Sequence, residues 1–87
     1  MSINVTICGN QRKEYHFEGP ASNKYLVISI EVYSAWARYE QYDSLEVARE
    51  VADRGTFNQT HREYRATVFN DRCEVVYNGI NRHASRP

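Results

Sequence analysis

The segment 25–33 constrains the fold more than any other. Leu26, Ile28, Ile30 and Val32 fall on one face of an extended chain, and Tyr25, Val27, Ser29, Glu31 and Tyr33 on the other. That period of two belongs to a strand, because helical side chains repeat every 3.6 residues. Composition agrees: 13 Ile and Val stand against two Leu, and seven of the 11 aromatic residues are Tyr. Branched and aromatic side chains of this kind favour pleated sheet.

The same period recurs along the chain. Ile3, Val5 and Ile7 alternate with Asn4, Thr6 and Cys8 up to a turn at Gly9-Asn10. Tyr15 and Phe17 then alternate with Glu14, His16 and Glu18, which makes the first two strands a hairpin. Gly19-Pro20 and Ser22-Asn23 reverse the chain into the third strand. Later, Tyr64, Ala66 and Val68 alternate with Arg65, Thr67 and Phe69. After a turn at Asn70-Asp71, Cys73, Val75 and Tyr77 alternate with Glu74 and Val76, and Asn78-Gly79 ends a second hairpin.

Between the hairpins lies one helix. Asp43 or Ser44 can cap it, and Glu46, three residues after Asp43, fits a capping box. Leu45, Ala48 and Ala52, with Val47 and Val51 beside them, form an apolar stripe, and Gly55 is placed to stop the helix after Arg54. The segment 33–42 is open to two readings. Its Tyr33, Trp36, Tyr39 and Tyr42 recur every three residues, as on a helix, whereas the favoured reading is extended chain with a bend near Ser34 and Ala35. The expected fold is α+β: an antiparallel sheet of about five strands with one amphipathic helix packed on it, in the order β-β-β-α-β-β. It forms a single domain over residues 1–79, followed by a mobile polar tail over 80–87.

At 87 residues the chain suits one small domain, which excludes a large or multi-domain enzyme. No apolar run approaches the ~20 residues of a membrane-spanning helix. The start of the chain has no basic segment leading into an apolar one, so cytoplasmic residence is the expectation. In that compartment Cys8 and Cys73 are expected as reduced, half-buried thiols, with Cys8 packed within its strand.

Chemistry is sparse. His16, His61 and His83 have no metal-ligand spacing with one another or with a cysteine, so no metal site and no cofactor is expected. Glu14 and Glu18 bracket His16 on one strand face, which reads as a solvated surface rather than an acid-base pair. The four glycines sit at element boundaries and form no phosphate loop. A non-enzymatic chain is the expectation.

Two binding readings remain. Arg62, Arg65 and Arg72, interleaved with Tyr64 and Tyr77, have the ingredients of a single-strand nucleic-acid platform. The whole chain is nevertheless neutral, with 11 basic and 11 acidic residues, where a dedicated nucleic-acid binder carries a basic excess. Charge is instead polarised, acids prevailing in residues 14–46 and Arg in the last third. The segment 33–42 concentrates Tyr33, Trp36, Arg38, Tyr39, Glu40 and Tyr42, the residue types that dominate protein interfaces. Exposed acids at Glu14, Glu18, Glu31 and Glu40 would complement a basic partner surface.

The sequence Asp43-Ser44-Leu45-Glu46-Val47-Ala48-Arg49-Glu50-Val51-Ala52, followed by the stretches 64–71 and 75–79, resembles small phage-encoded accessory proteins, among them inhibitors of the anti-CRISPR kind. The resemblance covers roughly the last half of the chain and concerns layout, so no inhibitor residue is carried over from it. It implies a tiny cytoplasmic α+β protein without cofactors that blocks a surface of a bacterial defence complex such as a CRISPR effector. The partner expected from this is a larger host protein or ribonucleoprotein complex. A homodimer formed by edge-to-edge pairing of either hairpin is a further expectation.

Overall fold

A computed structural model of the chain describes residues 1–8, 11–31, 35–57 and 64–79, with the side chains of 55–57 and 64 left aside. Six strands and one helix follow in order: β1 (Ser2–Cys8), β2 (Arg12–Glu18), β3 (Tyr25–Glu31), β4 (Trp36–Tyr42), α1 (Leu45–Phe57), β5 (Tyr64–Phe69) and β6 (Val75–Asn78). The class is α+β with antiparallel pairing throughout, and the ambiguous segment is a strand over 36–42. The strands form two sheets: the β1–β2 hairpin, and a four-stranded sheet in the order β4-β3-β5-β6.

The division follows from β3. Val27 on one face and Leu26 and Ile28 on the other are all buried, so this strand needs cover on both sides. On one face Val27, Ala66 and Val68 pack with Ala48 and Ala52 of α1. On the other, Leu26 and Ile28 pack with Ile3 and Phe17, so the first hairpin covers the sheet instead of extending it. Each large aliphatic side chain fully buried this way stabilises the fold by about 1.5–3 kcal/mol. The result is three layers, helix on sheet on hairpin. Among the described residues no helix is long and apolar enough to cross a membrane.

The helix is capped by Ser44, whose Oγ accepts from the Val47 N–H at 3.4 Å while its carbonyl accepts from Ala48 at 3.0 Å. With Ser44 at that position the third helical residue is Val47, so the Asp43–Glu46 capping box does not form. Asp43 pairs with Lys24 instead. The helix also runs past Gly55 to Phe57, since Gly accepts helical dihedrals at a cost of about 1 kcal/mol. Ala48 and Ala52, one turn apart and fully buried, bring its backbone close to the sheet, whereas Val47 lies off the stripe and is exposed.

The second hairpin also differs from expectation. Cys73 lies in the turn with φ 61°, so β6 starts at Val75 and not at Cys73. The cause is Asn70, whose Oδ1 accepts from the backbone N–H groups of Arg72 and Glu74, each at 2.9 Å. This longer closure also shifts the β5–β6 register at Val68/Phe69. The proposed tail over 80–87 lies outside the described residues.

Candidate protein-docking surface

β4 pairs with β3 over seven consecutive positions, from Tyr25–Tyr42 to Glu31–Trp36. It ends the strand order, so its outer backbone edge has no strand partner among the described residues. Five of its seven residues are exposed, Trp36 to 46% and Tyr39 to 57%. Residues opposite one another in an antiparallel pair share a face. Trp36, Arg38, Glu40 and Tyr42 therefore lie on the helix side, in row with Glu31, Ser29, Val27 and Tyr25, while Ala37, Tyr39 and Gln41 lie on the hairpin side.

Each aromatic on β4 is held by a neighbour. The Arg38 guanidinium lies 5.9 Å from the Trp36 ring centroid, a cation-π spacing that keeps the indole against the strand. Tyr39 meets Phe17 of β2 with centroids 4.8 Å apart and planes tilted by 55°. Tyr42 is partly buried against the helix-side core, and its phenol titrates above the ordinary range, first through burial and then through a hydrogen bond to Glu40 and that residue's charge. Between β4 and α1 runs a cleft of about 210 Å³ floored by Val27 and Ser29, with Arg38, Glu40 and Tyr42 on one wall and Val51 and Arg54 on the other.

The expected site residues separate. Trp36, Arg38, Glu40 and Tyr42 come together on one face, and Tyr39 stands on the reverse of the same strand. Glu14 and Glu18 are exposed, but they sit on the outward face of the hairpin, two layers from the helix, where Glu14 approaches Arg12 at 3.8 Å. Glu31 corrects the expectation of an exposed acid: it is only 1% exposed, at the end of the row that carries Val27 and Ser29 under the helix layer. Tyr33 lies outside the described residues.

Among the described residues the arginine-rich set does not gather either. Arg65 is registered with Ile30 on the hairpin side, whereas Tyr77 is registered with Val68 on the helix side. Arg72 lies in the turn at the far end of β5 and pairs with Glu74 at 3.2 Å. The Tyr77 ring is covered by Arg49 at 4.7 Å, and its hydroxyl donates to Asp53 Oδ1 at 2.7 Å. Arg62 lies outside the described residues, and Tyr64 contributes a backbone position at the start of β5.

Sequence reasoning missed Val51 and Arg54 as cleft residues and Arg49 and Asp53 as the pair that holds Tyr77. The i, i+4 spacing of Arg49 and Asp53 was the available signal. Cys8 is exposed at the end of β1 and Cys73 partly buried, both as free thiols, so the expectation of a packed Cys8 is corrected. His16 is exposed beside Asn4, its Nδ1 at 2.6 Å from Oδ1. Among the described residues no group of three or more His, Cys, Asp or Glu is arranged to hold a metal ion. Compared with protein-family models, curated proteins and solved structures, the chain matches none.

Proposed function

We propose that the chain is a non-enzymatic protein-binding inhibitor of the phage-encoded, anti-CRISPR kind. It acts in the host cytoplasm by covering a functional surface of a larger protein or ribonucleoprotein complex. The observation that carries this reading is β4, an edge strand that holds Trp36 and Tyr39 exposed on its two faces and has Arg38 and Glu40 beside them. Large rings with an adjacent charge supply most of the free energy at protein interfaces, and a strand with an open edge adds backbone hydrogen bonds. The nucleic-acid reading has less support, because Arg65 and Tyr77 face opposite ways and Tyr77 is already covered by Arg49.

The test is capture of partners from a bacterial lysate on immobilised wild-type protein and on a Trp36→Ala variant, repeated over a salt series. The reading expects a defined host protein complex on the wild type, retained at moderate salt and lost with Trp36→Ala. Recovery of nucleic acid with affinity falling steeply in salt would move the assignment to the arginine set. Recovery of neither would overturn the reading.

A further inference from the structure

The four-stranded sheet has two edges, and they are built differently. β6 is four residues long and follows a register shift, features that blunt an edge. β4 is seven residues long, pairs without interruption, and contains no Pro, Gly or Lys. Its sequence, Trp36-Ala37-Arg38-Tyr39-Glu40-Gln41-Tyr42, is self-complementary about its centre. If two copies lie antiparallel with Tyr39 on a two-fold axis, Arg38 of each stands opposite Glu40 of the other, and Trp36 opposite Tyr42.

From this we propose that β4 pairs with β4 of a second copy, joining two four-stranded sheets into one eight-stranded sheet. Opposed side chains on such a ladder sit about 4.5–5.5 Å apart, within reach of ion pairing and ring contact. Because the interface is isologous, each favourable pair occurs twice: two Arg38–Glu40 pairs and two Trp36–Tyr42 pairs, all on the helix side, where β4 carries these four residues. The charges also fix the register. A slip by two residues sets Arg38 opposite Arg38 or Glu40 opposite Glu40, and a slip by one turns each helix-side residue towards a hairpin-side residue of its mate. The hairpin edge β1 has no such code, since Ser2–Cys8 carries no charged side chain.

The pairing takes up the backbone edge of β4 that the docking reading also offers to a partner, so in the dimer docking is left to the two ring-bearing faces of the strand. Where both hold, the dimer presents two copies of the Trp36 and Tyr39 surfaces side by side.

Light scattering and sedimentation over a concentration series test the proposal with four proteins. Wild type is expected to approach twice the 10.2 kDa chain mass as concentration rises. Arg38→Glu sets Glu against Glu at both symmetric positions, and Glu40→Arg sets Arg against Arg. Each is expected to weaken dimerisation by about tenfold or more. The double variant Arg38→Glu/Glu40→Arg restores opposite charges and with them the dimer. An equimolar mixture of the two single variants is expected to form a mixed dimer that neither forms alone. Circular dichroism shows that each variant is folded. A monomeric wild type at every concentration, or a dimer indifferent to the single reversals, would overturn the proposal and leave the docking reading standing.

Discussion

The Tyr15 hydroxyl donates to the carbonyl of Ala35 at 2.8 Å, across 20 residues of sequence. It fastens the outer hairpin to the residue that feeds β4. Ala35 is fully buried with φ 54°, a left-handed conformation that costs an L-residue about 1–2 kcal/mol, so the contact holds a turn that the local chain does not favour. Tyr15→Phe keeps the ring stacked on Phe17 and leaves the buried carbonyl without this donor. A loss of about 1–3 kcal/mol is expected in urea unfolding, with an unchanged slope.

A second seam joins the same hairpin to the β5–β6 turn. Gly19 donates its N–H to the Met1 carbonyl at 2.9 Å, and a Cβ at Gly19 would stand 2.6 Å from Cys73 Sγ and 3.1 Å from that carbonyl. Gly19→Ala is therefore expected to destabilise the fold by about 1–3 kcal/mol. Adding Cys73→Ala removes the closer of the two contacts, so the double variant should lose less than the sum of the single losses. Strict additivity in thermal unfolding would place the strain elsewhere.

Tyr77 supplies a prediction in pH. Its phenol titrates above its ordinary value of 10.0, mainly because its hydroxyl donates to Asp53. The fold keeps this proton where the unfolded chain begins to lose it. The associated stability is full below pH 10 and declines as pH rises through the higher folded value. Asp53→Ala is expected to move one phenol of the alkaline tyrosinate titration to lower pH, and Tyr77→Phe to remove that late step.

Much of this arrangement is legible in the residues. The alternation at Leu26, Val27 and Ile28 specifies β3, and Ser44 with Ala48 and Ala52 specifies the helix and its buried face. The division into two sheets is not legible, because Ile3 and Phe17 show the same period whether their strands extend a sheet or lie across it. Glu31 shares a face with Val27 and Ser29, which the sequence reveals. Its burial is set by tertiary packing, which a period of two does not encode. The threefold aromatic spacing of 33–42 suits a helix, but seven backbone pairs with β3 decide for a strand over 36–42. The Cys73 turn depends on one side chain, Asn70, and a pattern of apolar residues does not register it.

Within the aromatic surface, Trp36 is the chain's single tryptophan and is half exposed, so its truncation should weaken docking and spare the fold. The most direct measurement is the affinity of the captured host partner for wild type, Trp36→Ala, and the pair Arg65→Ala/Arg72→Ala, with all three melting within a few degrees of one another. A loss of about tenfold or more for Trp36→Ala, with the arginine pair close to wild type, is the predicted result. Full affinity in Trp36→Ala together with loss in the arginine pair would contradict the account.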